Sequence, residues 1–199
     1  MNEKQLVTQA QAGDFSAFMQ LVDEHKGKIY ALARKLAGNS QDAEDIVQDT
    51  LLKAIDKIDK FRGEASFGTW LYSIALNQAR ALHAGHKKTE LGSIEDYLPG
   101  AGNSDSHDVA ARLFDWRDPH QLLEDSELRE LINAALEELP YKYKEVFLLR
   151  YVEELSVKEV ARLTKQSEAS AKSRILRARL ALRDWLSKKF EVSYGQKMS

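Results

Sequence analysis

The sequence of 199 residues contains no cysteine, only three prolines and no long apolar run. Without cysteine, the chain has no disulfide scaffold, no thiolate metal site and no cysteine nucleophile. The apolar runs stay below the ~18 residues that a membrane-spanning helix requires, and no apolar segment of a signal peptide follows Met1. We therefore expect a soluble, cytoplasmic protein without membrane insertion.

The formal net charge of −2 argues at first against a nucleic-acid-binding protein. The charges, however, are segregated along the chain. Residues 1–89 carry 12 Lys/Arg and 11 Asp/Glu, residues 90–140 carry 3 and 13, and residues 141–199 carry 14 and 7. The segment Arg162–Lys189 holds nine basic and two acidic residues. This basic segment is either a phosphate-contacting surface or an ordinary solvated helix face, and charge alone leaves both open.

Apolar residues recur at helical spacing over most of the chain, and few segments alternate as strands do. The spacing predicts helices over about 4–12, 15–37, 40–60 and 66–88, with Ser40 capping the third. Residues 85–119 interrupt the pattern with Gly, Asp, Ser, Asn and Pro. We expect an all-α fold of two small helical domains, at 1–89 and 126–190, joined by a flexible acidic linker at 90–125 and followed by a tail at 191–199.

The most specific motif lies in the basic C-terminal domain. Ser156 and Glu159 have the spacing of a capping box, which begins a short helix. That helix ends near Leu163, and a tight turn leads into a second helix, as in a helix-turn-helix. Small and basic residues lie opposite the apolar stripe of the second helix, where they would reach bases and phosphates in a major groove. These residues are Lys172, Ser173, Arg174, Leu176 and Arg177. A helical hairpin with a basic outer face is the alternative.

Two blocks of sequence resemble one protein family. Residues 139–140, 145–156, 159–161, 172–174 and 177–179 resemble the promoter −35-binding domain of bacterial sigma factors. Residues 42–50 and 61–75 resemble the other shared domain, which holds the polymerase core and opens the −10 element. The chain is therefore similar to the extracytoplasmic-function (ECF) group of the sigma-70 family. It departs from the family at Glu168–Ser170 and at Lys165, where glycine is common.

The resemblance implies a sigma factor, which is not an enzyme: it would bind the RNA polymerase core and direct promoter-specific initiation. On the helix from Ser40, Leu52 projects among acidic residues, opposite the apolar stripe. An apolar residue in such a face is either a protein contact or a harmless surface leucine. The resemblance assigns this face to the clamp helices of the largest polymerase subunit, and a further core contact to the flap. The face comprises Asp45, Gln48, Asp49 and Leu52.

Polar, basic and aromatic residues share one side of the helix from Ser66. This combination suits single-stranded DNA, because bases stack on rings and phosphates attract cations. By resemblance, this face and the loop before it would capture a flipped −10 base and the unwound strand. The set comprises Arg62, Phe67, Thr69, Trp70, Ser73, Asn77, Arg80 and Lys87. Core packing is the alternative for Phe67 and Trp70.

Catalytic and metal sites are not indicated. His83 and His86 have the spacing of half a metal site, but no third ligand follows, so we expect no metal, no cofactor and no enzymatic activity. The alternatives are a stand-alone helix-turn-helix regulator and a metal-dependent enzyme or other helical protein that does not bind DNA. By resemblance, the partners are polymerase core, duplex and single-stranded promoter DNA, and an anti-sigma factor. The acidic linker either mimics nucleic acid in a basic channel or is a simple tether.

Overall fold

A computed structural model describes residues 2–86 and 126–195, with side-chain surroundings over 2–85 and 130–189. The chain divides into two compact units, 1–90 and 91–199. Every regular element in the described residues is helical, which confirms the all-α class. None of the described helices is long and apolar enough to cross a membrane. The predicted linker and Lys87 lie outside the described residues.

Residues 2–86 of the first unit form four α-helices and one short 3₁₀ turn. They are α1 (Glu3–Gln11), α2 (Phe15–Ala37), α3 (Ser40–Ile55), the 3₁₀ turn (Ile58–Lys60) and α4 (Phe67–His86). Helices α2, α3 and α4 pack against one another, and α1 packs along α2. The centre of this unit consists of fully buried side chains from α2 and α4: Leu21, Ile29, Leu32, Phe67, Leu71 and Leu76.

The third predicted helix begins at Ser40 as expected, but the structure corrects its N-cap and its C-terminal end. Asn39, not Ser40, is the N-cap of α3, because its Oδ1 accepts a hydrogen bond from the Asp42 N–H at 2.9 Å. Both residues are good caps, so the sequence alone did not separate them. The helix ends at Ile55, and the buried Ile58 begins a separate 3₁₀ turn.

The second unit is built around its last helix. Within the described residues 126–195, its elements are α5 (Ser126–Glu138), α6 (Tyr141–Phe147), a π-helical turn (Leu148–Val152), α7 (Val157–Leu163) and α8 (Glu168–Gly195). Helix α8 packs against α5, α6 and α7. Its buried stripe comprises Ala171, Ile175, Ala178, Leu182 and Leu186. Arg150 donates a hydrogen bond to the Leu155 carbonyl at 3.2 Å, which ties the π turn to the start of α7.

Candidate functional site

Helices α7 and α8 form the helix-turn-helix, and α7 begins with the predicted capping box. The Ser156 Oγ accepts from the Glu159 N–H at 3.3 Å, while the Ser156 N–H donates to the Glu159 carboxylate at 2.9 Å. The Ser156 hydroxyl also donates to that carboxylate, at 2.7 Å. The two hydrogen bonds that the Glu159 carboxylate accepts, mainly from the Ser156 hydroxyl and also from the Ser156 N–H, lower the pKa of Glu159 below its ordinary value of 4.5. Both bonds stabilise the charged form of the carboxyl group.

The lowered pKa of Glu159 makes the stability of the helix-turn-helix depend on pH. A carboxyl whose pKa is lower in the folded state stabilises the fold fully above its unfolded pKa, and less as pH falls through the folded pKa. We expect Ser156→Ala to raise the pKa of Glu159 and to reduce stability at pH 7 by about 1 kcal/mol. The loss should shrink below pH 4.5. NMR titration of the Glu159 carboxyl in the full chain measures the pKa, and hydrogen exchange of α7 amides measures the stability. An unchanged pKa in the variant would contradict this assignment.

The turn between the two helices has a left-handed residue. Lys165 adopts φ 53°, a conformation that favours glycine. Its N–H donates to the Arg162 carbonyl at 3.2 Å, and the Gln166 N–H donates to the Ala161 carbonyl at 3.0 Å. This pair of hydrogen bonds is a Schellman motif. The chain therefore makes the same kind of turn that glycine favours, but with a lysine in the strained position.

Replacing Lys165 by glycine should stabilise the helix-turn-helix. A non-glycine residue in this conformation destabilises the fold by about 1–2 kcal/mol. Glycine removes this strain, but it loses more conformational entropy on folding, which costs roughly 0.5–1 kcal/mol. We expect Lys165→Gly to raise the free energy of unfolding by up to about 1 kcal/mol, which slower amide exchange in α7 and α8 would show. Lys165→Ala keeps a strained residue in this position, so we expect no gain in stability from it. Equal behaviour of the two variants would show that strain at this residue is negligible.

The exposed face of α8 carries the residues expected to reach DNA. Ser167 caps the helix, since its Oγ accepts from the Ser170 N–H at 3.2 Å. Within the first three turns, Lys172, Ser173 and Arg177 are exposed, and the Leu176 side chain is 47% exposed. Arg174 is half-buried at the flank. The structure thus brings four of the five predicted residues together on one accessible surface, with the fifth at its edge.

Helix α3 presents a second accessible face. Leu52 is 63% exposed, the most exposed of the large apolar side chains in the described residues. Asp45, Gln48 and Asp49 are exposed beside it, one and two turns earlier. The opposite side of α3 is buried against α2 and α4. The acidic face with one central leucine, which we call the α3 face, is therefore available to a partner protein.

An aromatic cluster lies where the loop 61–66 enters α4. The Phe61 ring is 5.9 Å from Phe67 in an edge-on arrangement and 5.1 Å from Trp70. Phe67 has no exposed surface and Thr69 is only 5% exposed. Their predicted contacts with DNA are therefore corrected: Phe67 belongs to the core, and the Thr69 hydroxyl is hydrogen-bonded with that of Ser66 at 2.9 Å. A buried side chain has no free surface for a base or phosphate.

The other predicted residues of this region remain accessible. The Arg62 side chain is 83% exposed in the loop. Trp70, Ser73 and Arg80 are partly exposed on α4, and Asn77 is exposed. The Arg80 guanidinium donates to the Asn77 Oδ1 at 3.4 Å. These residues lie along one side of α4, which we call the α4 face, and they offer hydrogen-bond donors, a cation and part of an indole ring.

Sequence reasoning missed two residues that contact the loop before α4. Gln11 donates from Nε2 to the Ile58 and Phe61 carbonyls, at 3.0 and 2.8 Å. Glu3 accepts the Phe67 N–H at 3.2 Å. No local sequence motif indicates these contacts, because the partners are about 50 or more positions away in the chain. Only the packing of α1 brings them together.

The described residues contain no cluster of three or more His, Asp or Glu side chains that is suited to holding a metal ion. His83 is partly buried on α4, and the side chain of His86 lies outside the described residues. The candidate site consists of three accessible surfaces: the exposed face of α8, the α3 face, and the α4 face with its preceding loop.

Two family models match the chain. The model of sigma-70 region 2 matches residues 21–89, and the model of sigma-70 region 4 matches residues 129–182. The first match includes α3, the loop and α4, and the second includes α7 and the first half of α8. The surfaces described above therefore all lie within the matched residues, whereas α1 lies outside them.

Curated proteins and solved structures are similar over nearly the whole chain. The Bacillus subtilis protein named ECF RNA polymerase sigma factor SigW is 34% identical over 92% of this chain and 96% of its own length. The Haemophilus influenzae ECF RNA polymerase sigma-E factor is 32% identical over 90% and 92%. CnrH, solved in complex with the cytosolic domain of CnrY, is 27% identical with a TM-score of 0.65 over 94% and 97%. Sigma factor RpoE of Bartonella quintana, solved with the anti-sigma factor NepR, shows the same fold at 22% identity and a TM-score of 0.59, over 85% and 96%.

Proposed function

We propose how three surfaces divide the work of initiation in this chain, which belongs to the ECF sigma factors of RNA polymerase. A sigma factor is a non-enzymatic subunit that directs the polymerase to promoters. The expectation of a promoter-specificity subunit without catalysis is confirmed by the two family matches. The roles of individual residues and the domain bounds, 1–89, 90–125, 126–190 and 191–199, are our proposals.

The exposed face of α8 reads the −35 element. The support is the coincidence of a cap, a tight turn and a basic face at the start of one helix. Lysine and arginine donate to guanine or to phosphates, and an exposed leucine suits the methyl group of thymine. In this proposal Lys172, Ser173, Leu176 and Arg177 face the groove, and Arg174 contacts the DNA from the flank.

The α4 face and the loop 61–66 capture the unwound strand at −10. Arg62 supplies an exposed cation, Trp70 supplies a partly exposed ring, and Asn77 and Arg80 supply donors. Stacking on an aromatic ring contributes about 1–3 kcal/mol per base. Phe67 and Thr69 have structural roles beneath this face, since both are buried. Ser73 is partly exposed beside Trp70, and Lys87, outside the described residues, belongs to the same proposed set.

The α3 face binds the polymerase core. Its support is the 63% exposure of Leu52 within an acidic surface of a stable helix. Burial of this apolar side chain at the centre of an interface would remove its surface from water, which favours association. In this proposal the clamp helices of the largest subunit contact Asp45, Gln48, Asp49 and Leu52. The second domain contacts the flap.

We also propose a protein inhibitor and a cytoplasmic location. The support is that CnrH, at 27% identity, was solved in complex with the cytosolic domain of CnrY. An anti-sigma factor that covers the DNA-reading or core-binding surfaces would hold this chain inactive. Affinity purification from unstressed cells should recover such a protein in a stoichiometric complex that lacks polymerase core, and recovery of free protein alone would contradict this part of the proposal.

Run-off transcription tests the proposed function directly. Purified chain and polymerase core are incubated with a library of genomic promoter fragments, and transcript ends are sequenced. We expect transcripts that share a −35 and a −10 sequence and that need both proteins. The active core is verified with another sigma factor. Tight binding of duplex DNA by the chain alone, without transcripts, would instead favour a stand-alone regulator.

A further inference from the structure

The N-terminal helix α1 contacts both ends of the loop that precedes α4. Gln11, at the C-terminal end of α1, donates its Nε2 to the carbonyls of Ile58 and Phe61. Glu3, at the N-terminal end, accepts the Phe67 N–H with its Oε1. The five residues 62–66 therefore lie between two points that are both held by α1. No residue of α1 belongs to the matched family region, which begins at residue 21.

The geometry of a helix makes α1 a rigid spacer between these two points. Glu3 and Gln11 are eight residues apart, so their Cα atoms are separated by about 12 Å. The helix is itself stabilised by a capping box: the Asn2 Oδ1 accepts from the Lys4 N–H at 3.0 Å, and the Asn2 N–H donates to the Gln5 Oε1 at 3.2 Å. It is further fixed by the buried side chains of Leu6 and Ala10. The distance between the two ends of the loop therefore depends on α1 as well as on the loop itself.

The Glu3 end of this arrangement is closely packed. The other carboxylate oxygen of Glu3 lies 3.9 Å from the Nε2 of His25 on α2. A Cβ atom on Gly68 would come within 2.8 and 2.9 Å of the His25 ring, so a larger residue at this position would displace the imidazole. The His25 ring also lies 5.9 Å from Phe67. Helices α1, α2 and α4 thus meet at the first residues of α4, where the loop ends.

We propose that Glu3 and Gln11 are positioning residues for −10 strand capture, and that α1 acts as a brace that presents Arg62 in a fixed place. This inference rests on the proposed role of the loop in binding the unwound strand. A loop already held at both ends loses less conformational entropy when DNA binds. It also offers its exposed side chains to a base in one arrangement, which improves discrimination between bases.

The test uses a donor deletion at Gln11, which is exposed, so the core of the fold is untouched. Gln11→Met keeps the length of the side chain but removes the Nε2 donor, and Gln11→Lys restores a donor. Holoenzyme assembled with each variant is titrated with a short fluorescein-labelled strand that carries the −10 sequence found by run-off transcription. Strands with each −10 base replaced in turn measure discrimination between bases.

We expect Gln11→Met to weaken strand binding about 3- to 10-fold, as the loss of two hydrogen bonds implies, and to reduce the ratio of affinities between the correct and the replaced bases. Gln11→Lys should recover both. Glu3→Gln, which keeps an acceptor for the Phe67 N–H, should bind nearly as the natural chain, whereas Glu3→Met should behave like Gln11→Met. Core affinity and binding of −35 duplex should stay unchanged, which a general loss of folding would not allow.

Arg62→Ala separates failure of the brace from failure of the proposed function. If Arg62→Ala weakens strand binding while Gln11→Met leaves both affinity and base discrimination unchanged, the brace is wrong and the role of the loop stands. If neither variant has an effect, the loop does not bind the strand and both proposals fall. Weaker binding by Gln11→Met without loss of discrimination would also overturn the brace, because it would indicate only a general loosening of the domain.

Discussion

Transcription that depends on the −35 element should fall about 30-fold or more when Lys172 and Arg177 are both replaced by alanine. Both side chains are exposed within the first three turns of α8, and each contact to a base contributes about 1–3 kcal/mol. A loss of ~2 kcal/mol is roughly a 30-fold change in affinity. Run-off transcription by reconstituted holoenzyme on the cognate promoter measures the effect. A promoter with a scrambled −35 element should show almost no further loss in the double variant.

The matched control removes the same charge elsewhere in the second domain. Lys142 and Lys188 are exposed, and their double alanine variant lowers the net charge by the same amount outside the proposed reading face. We expect near-normal transcription from it. Equal losses in both double variants would show that bulk charge, not the face of α8, determines promoter binding. The salt dependence of DNA binding counts the lost phosphate contacts, because each of them reduces the slope of log affinity against log salt concentration by about one.

Core binding should fall by about 30-fold or more when Leu52 becomes aspartate. The side chain is 63% exposed, so the substitution leaves the core of the first domain intact. In the complex, however, it would replace an apolar contact by a charge among existing acids, at a cost of ~2 kcal/mol or more. Fluorescence anisotropy of labelled chain titrated with polymerase core measures the affinity. The proposed −35 reading face is untouched, so residual holoenzyme should select the same promoters.

A similarly exposed apolar residue provides the control for Leu52. Phe15 is 60% exposed on α2, and Phe15→Asp introduces the same charge in the same domain. We expect this variant to bind core normally. If both variants lose core affinity together, added negative charge explains the effect. If Leu52→Asp binds core as the natural chain does, the α3 face is not the contact surface and its assignment is wrong.

Local features of the fold were predictable from the sequence because they depend on residues close together in the chain. The capping box of Ser156 and Glu159 joins residues three apart, and the structure has it as expected. The apolar stripe of α8 likewise follows from helical spacing, so its opposite, exposed face was predictable too. Where two neighbours were equally suitable, as Asn39 and Ser40 were for capping α3, local reasoning chose the wrong one.

Burial at the start of α4 required the tertiary structure. Helical projection assigns Thr69 to a polar side, but that side is covered near the loop, so the residue is 5% exposed. The ring of Phe67 is enclosed by His25, Phe61 and Trp70, which come from α2, the loop and α4. A single-helix projection gives the direction of a side chain and contains no information about the elements that cover it.

By itself, the sequence determined the helical class, the two-domain order, the helix-turn-helix and the segregation of charge, since each depends on local spacing or composition. Only the tertiary structure decided which of the predicted −10 residues are accessible, and that α1 holds the loop before α4. The contacts of Gln11 and Glu3 with that loop join positions 47, 50 and 64 residues apart. Such contacts arise from the packing of helices, and no local pattern in the chain specifies them.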